Sequence, residues 1–280
     1  MAERPTRGTP RVREARVLRT ERITPHMVRL VLGGAGLEDF DAGEFTDHYI
    51  KVLFAPAGVS YPEPFDMARI REEFAPGQWP ATRTYTVRAW DPVLRELSVD
   101  FVVHGDQGLA GPWAARARPG ETVRFLGPGG GYAPDPGADW HLLAGDESAL
   151  PAIAAALERM PAGAVVHAFV EVADAAEEQK IVLPAGVEVG WLHRGARPVG
   201  EALVEAVGAL EFPAGTPSVF VHGEAGFVRD LRRLLRLERG VARERLSVSG
   251  YWRFGQSDEV WRSAKREWNA RVEAEQEQAG

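Results

Sequence analysis

The chain has no cysteine. That excludes disulfides, thiolate zinc sites, a cysteine nucleophile and the usual protein-ligated iron–sulfur cluster. No HExxH-type set is present either, and no metal site is expected. No apolar run approaches the ~20 residues of a membrane span. The opening stretch, MAERPTRGTPRVREARV, has charges but not the apolar core of a signal peptide. A basic surplus is also missing. Lysine and arginine number 33 against 40 aspartates and glutamates, a formal net charge of −7. Nucleic acid usually demands a basic face, so it is not expected as a partner, and any anionic ligand must be met by a local cluster of cations. The expectation is a cytoplasmic monomer without stable membrane insertion.

The 280 residues suffice for one large domain or two smaller ones. Over 11–130 the chain reads as short strands of period two. MVRLVL sets Val28, Leu30 and Leu32 on one face, HYIKVLF sets Ile50, Val52 and Phe54, and ELSVDFVVH sets Leu97, Val99, Phe101 and Val103. Turn formers separate the runs, and closure into an antiparallel barrel would remove exposed edges. The segment from Ala55 to Thr82 reads as a long insertion with a short helix, a flap over the barrel mouth. After GPGGGYAPDPGAD the rhythm changes to alternating apolar strands and helices, the pattern of a parallel sheet with helical crossovers over 138–254. A C-terminal helix over 255–276 carries Trp261, Ala264, Trp268 and Val272 on one stripe, and the tail EAEQEQAG reads as frayed.

One strand stands out. RTYTVR, from Arg83 to Arg88, combines two arginines, a tyrosine and two threonines. Alternation puts Arg83, Tyr85 and Val87 on one face and Thr84, Thr86 and Arg88 on the other. By itself it fits a solvated edge strand with snorkelling arginines, or a clamp for a flat, phosphorylated cofactor: a ring to stack, hydroxyls for a polar edge, an arginine for phosphate.

The neighbouring segments resemble the siderophore-interacting protein family of the ferredoxin–NADP reductase superfamily. RTYTVR is similar to its flavin-binding signature, and DHYIKVLF to its early strand. DFVVHGDQGLAGPWAARARPGE is similar to its pyrophosphate loop, AGDESALPAI to the first turn of its second domain, and GYWRFGQSDEVW to its C-terminal signature. The resemblance, running from Asp47 to Trp268, implies a β-barrel FAD-binding domain followed by an NAD(P)-binding-like α/β domain. It implies FAD contacts at Arg83, Tyr85, Thr86, Val103, His104, Gly108, Ala110 and Gly111, with the chemistry on the flavin and no catalytic side chain. The loop departs from the family pattern: it reads GLAG where Gly-Pro-Ala and a hydroxyl residue are usual, so Gly111 offers no side-chain donor. Trp113 reads as packing beneath the loop's helix.

The implied substrate is a ferric siderophore, reduced from iron(III) to iron(II) one electron at a time. Lys51 and Arg253 match the positions that supply cationic charge for it. A solvated lysine and an arginine stacked on an indole are their alternative readings. His48 reads as added positive charge at low pH or as a satisfied hydrogen-bonding residue. The implied electron donor is NAD(P)H or reduced ferredoxin. The turn GDESALP, however, holds Asp146 and Glu147 where a second glycine would admit phosphates, both suited to capping the helix, and Glu171 stands at the next strand end. A general NAD(P)H:flavin or ferredoxin:NADP oxidoreductase and a non-catalytic siderophore-binding protein remain as alternatives.

Overall fold

The computed structural model describes residues 11–278. The first ten residues, on which the signal-peptide reading partly rests, and the last two of the polar tail lie outside the described residues. Six strands, β1 (Val12–Thr24), β2 (Met27–Gly33), β3 (Tyr49–Phe54), β4 (Ala81–Asp91), β5 (Glu96–Val102) and β6 (Thr122–Gly129), close into a barrel in the order β1–β2–β5–β4–β3–β6. Every pairing is antiparallel. The period-two sets point inward: Leu30 faces Val99 and Val28 faces Phe101 across one pair, and Val52 faces Phe125 across another. Closing the sheet satisfies the edge amides that open strands would leave bare.

The insertion between β3 and β4 forms α1 (Met67–Glu73), whose first amides are capped by Asp66. It is not a flap over the barrel mouth. Tyr61 packs edge-on against Phe65 and Phe74 at 5.4 and 5.3 Å, and Arg124 of β6 lies 4.7 Å over Phe65 and bonds Glu63. Because Val123 and Phe125 point inward, Arg124 points outward, and it pins the insertion to the barrel's outer wall. After β5, α2 (Ala110–Arg116) sets Ala110 and Ala114 into the barrel core. Trp113 meets Phe54 and Phe101 edge-on at 5.4 and 5.6 Å, the packing role expected of it.

The second domain is a parallel sheet of β7 (Trp140–Asp146), β8 (Val166–Val172), β9 (Val189–His193), β10 (Pro217–Glu224) and β11 (Leu246–Trp252), ordered β11–β10–β7–β8–β9. Leu143 and Phe220 pack under α3 (Leu150–Leu157) on one face. Leu142, Val219 and Val221 pack under α4 (Glu201–Ala209) and α5 (Ala225–Arg233) on the other. Cover on both faces explains why these strands are nearly continuous apolar runs. The last helix, α6 (Asp258–Gln278), buries Trp261, Trp268 and Val272 against Ala225. No helix among the described residues is long and apolar enough to cross a membrane.

The domains are clamped together. Arg88 on β4 donates two bonds to Glu158, just past α3, at 2.8 and 2.5 Å. Glu177 accepts from Thr24 Oγ1 at 2.5 Å and meets His26 Nδ1 at 2.5 Å.

Candidate active site

A cavity of about 790 Å3 opens between the barrel and the sheet, with α6 along one side. β4 supplies Arg83, Thr84, Tyr85 and Thr86 to its wall. The Arg83 guanidinium bonds Glu259 and lies 3.2 Å from Asp258, so the acidic first turn of α6 is fastened to this strand. Arg262 adds a bond to the Thr82 carbonyl. The Tyr85 ring tilts onto Phe101 at 4.2 Å, joining the barrel core to the cavity wall, and burial pushes its phenol pKa up.

The other expected flavin contacts divide. His104 stands on the rim, its ring 6.4 Å from that of His26. At the end of β5 the wall is Val102, while the Val103 side chain belongs to the barrel core. Gly108, Ala110 and Gly111 are not on the cavity wall. A Cβ on Gly111 would come 2.8 Å from the Val102 carbonyl, so α2 sits on the strand at backbone contact distance. A side chain at this position would have to push the backbone apart, so the glycine is what lets the helix sit this close.

Of the expected substrate cations, Lys51 is on the wall, with Nζ 5.8 Å from the Tyr49 ring centre. Arg253 is half-buried outside it. Its neighbour Trp252 is inside, with Nε1 donating to Asp146 at 2.8 Å. His48 is off the wall, 5.8 Å from the Phe45 ring, and burial lowers its pKa, so it adds no charge at neutral pH. Lys265 on α6 is a wall residue that the sequence reading missed. A signal was present: Lys265 follows Trp261 by four and precedes Trp268 by three, so it shares their stripe.

The carboxyl edge of the sheet is filled by the chain's own acids. Asp146 accepts from Ser148 N (2.9 Å), Ser148 Oγ (2.5 Å), Glu224 N (2.8 Å) and Trp252 Nε1. Burial, and then the Glu147 charge, push its pKa up to about 7 against the bonds from the Ser148 hydroxyl, Trp252 and the Glu224 amide. Gly223, at φ +140, brings the backbone so near that a Cβ would meet this carboxyl at 2.7 Å. Glu224 caps α5 through Gly226 N and Phe227 N. Glu171 accepts from Gly200 N at 2.9 Å and from Arg194 at 3.2 Å. Glu147, expected to help cap α3, instead pairs with Arg194 at 2.8 Å.

The volume, the aromatic walls and the wall threonines Thr84 and Thr86 beside Arg83, whose guanidinium is also paired with Asp258 and Glu259, fit a flat ring system with an anionic tail. The class is that of FAD-dependent oxidoreductases built from a barrel and a parallel-sheet domain. Residues 16–132 match the siderophore-interacting FAD-binding domain and residues 138–255 match the siderophore-interacting protein family. The chain is 35% identical to the ferric vibriobactin reductase ViuB of Vibrio cholerae, covering 87% of this chain and 90% of that one. It is 31% identical to the NADPH-dependent ferric-chelate reductase of Escherichia coli, over 88% of this chain and 94% of the other. The crystal structure of a siderophore utilization protein from T. fusca superposes with a TM-score of 0.76 at 41% identity, covering 89% of this chain and 95% of that one. The protein belongs to the siderophore-interacting protein family.

Proposed function

We propose that this protein is a cytoplasmic, monomeric, FAD-dependent reductase that frees iron from ferric siderophores by reducing iron(III) to iron(II). The observation that carries the reading is the cavity itself, with a phosphate-type arginine and aromatic walls on the barrel side and a lysine open to an anionic ligand. FAD, when bound, takes up two electrons and passes them on singly. The chain's part is to hold and orient. Arg83 meets the phosphates, Tyr85, Thr86 and His104 flank the ring system, and the Val103–Gly111 segment (Val103, Gly108, Ala110, Gly111) supports the pyrophosphate side. Lys51, with Arg253 beyond the wall, draws in the anionic chelate. The domain assignment proposed with it is an FAD-binding barrel over 11–130, an NAD(P)-binding-like α/β domain over 138–254 and a C-terminal helix over 255–276.

Reduced ferredoxin, or another small carrier protein, is the favoured donor over NAD(P)H. Dinucleotide phosphates normally sit on free amides at strand ends and helix N-termini. Here Asp146, Glu171 and Glu224 already accept those bonds. The purified protein should be yellow and release FAD on heating. Arg83→Ala should weaken FAD binding about 10–100-fold, the worth of one charged hydrogen bond in a partly dry site. A colourless protein that takes up no FAD on titration would overturn the reading.

A further inference from the structure

The cations around the cavity are unequally partnered. Arg83 is held by Asp258 and Glu259, Arg262 lies 3.8 Å from Asp258, and Arg194 is shared by Glu147 and Glu171. Two wall cations, Lys51 and Lys265, have no carboxylate within ion-pair distance among the described residues. In a chain with 40 acidic residues this is not for want of partners. Lys265 is only partly exposed, and its Nζ donates to Ser249 Oγ at 3.1 Å. A lysine that merely covered the tryptophan stripe with its stem would carry its head out to water. This head turns inward to the sheet. Beside it His222 is buried, with Nε2 3.0 Å from Ser247 Oγ and Nδ1 without a partner. Asp258 is the carboxylate whose charge acts on Lys265, and that charge is shared with Arg83 at 3.2 Å and Arg262 at 3.8 Å. A half-buried ammonium with one hydroxyl partner bears a desolvation cost that Asp258, on the same helix but beyond ion-pair distance, offsets only in part. Burial accordingly lowers the Lys265 pKa.

We propose that Lys265, oriented by Ser249, is a second anchor for the hard anionic oxygens of the ferric chelate, reaching in from α6 as Lys51 reaches in from the barrel. The proposal rests on the ferric-siderophore reading, and it gives α6 a task beyond packing: delivering a cation to the cavity wall. Discrimination between chelates by charge then depends on both walls and weakens as salt screens them.

Calorimetric titration of the oxidised holoprotein with two probes tests it: the trianionic ferric tris(catecholate) complex and the neutral ferric tris(acetohydroxamate) complex. Lys265→Gln should weaken binding of the trianion by about tenfold, the scale of one charge-assisted contact, and of the neutral complex by less than about twofold. Lys265→Arg should restore much of the loss, and FAD content and the flavin spectrum should not change. Equal weakening for both complexes, or none for the trianion, would overturn the proposal. So would a shifted flavin band with chelate affinity intact, which would turn the lysine toward the flavin. If the wild-type holoprotein binds neither complex, it is the ferric-siderophore reading that fails, and the proposal with it.

Discussion

Arg83 is paired with the acidic first turn of α6, Asp258 and Glu259, and the proposed function gives it a phosphate as a further partner. His222 is the most strongly perturbed imidazole of the cavity wall. Burial first, then the Lys265 charge, push its pKa down from 6.5 to about 3. Between those values the folded protein binds fewer protons than the unfolded chain. The stabilising difference is therefore complete above the unfolded value and shrinks as pH falls toward the folded one. At about pH 5 the loss amounts to ~2 kcal/mol. Urea unfolding at about pH 7.5 and 5 should show His222→Gln losing less stability than wild type by that order. Parallel losses in the two proteins would contradict the neutral buried imidazole. Arg83, Tyr85 and Thr86, all on the cavity wall, were pointed to by the family resemblance of the neighbouring segments, since the strand's own composition fits a solvated edge strand as well. The sequence hid the fate of Arg88. Alternation places Arg88 outward, yet outward on β4 means toward α3, so it is buried against Glu158. One strand's periodicity does not reveal that another domain covers its outer face.

Strands and helices were legible wherever a period had both an apolar face and a turn signal; α6 is an example. Its stripe places Trp268 8% exposed, edge-on to Trp261 at 5.3 Å. Trp268→Ala should cost about 3–5 kcal/mol if the helix stays docked. Because Trp268 packs beyond the ion pairs that fasten the first turn of α6, much of that cost should appear as local opening of the helix. Hydrogen exchange should quicken along α6 while β2 and β5 keep their protection. Uniform quickening through the barrel would show that α6 is integral to the global fold. The same stripe carried the hint about Lys265, obscured because a lysine among tryptophans reads as an ordinary covering side chain. The insertion at 55–80 misled for another reason: its length suggested a flap, but its aromatics satisfy one another and Arg124 ties them to the outer wall.

At the scale of the whole molecule, the barrel-then-sheet order was plain from the switch in period after Gly127–Gly137, whereas the clamps between the domains were not. Thr24, His26 and Glu177 are some 150 positions apart in the chain, and nothing local marks them as partners. The proposed donor preference rests on the sheet's carboxyl edge. With Asp146, Glu171 and Glu224 occupying the amides there, stopped-flow mixing should show slow flavin reduction by NADPH, somewhat faster reduction by NADH, and efficient reduction by reduced ferredoxin. Fast, saturable reduction by micromolar NADPH would mean that these carboxylates yield to a dinucleotide. Iron reduction itself is tested in the other half-reaction. The flavin is first reduced under anaerobic conditions and then mixed with a ferric siderophore in the presence of a ferrous trap. Saturable reoxidation of the flavin band is expected, with two ferrous ions trapped per flavin. A reduced flavin that reacts with oxygen but is left unchanged by the ferric siderophore would contradict the proposed function.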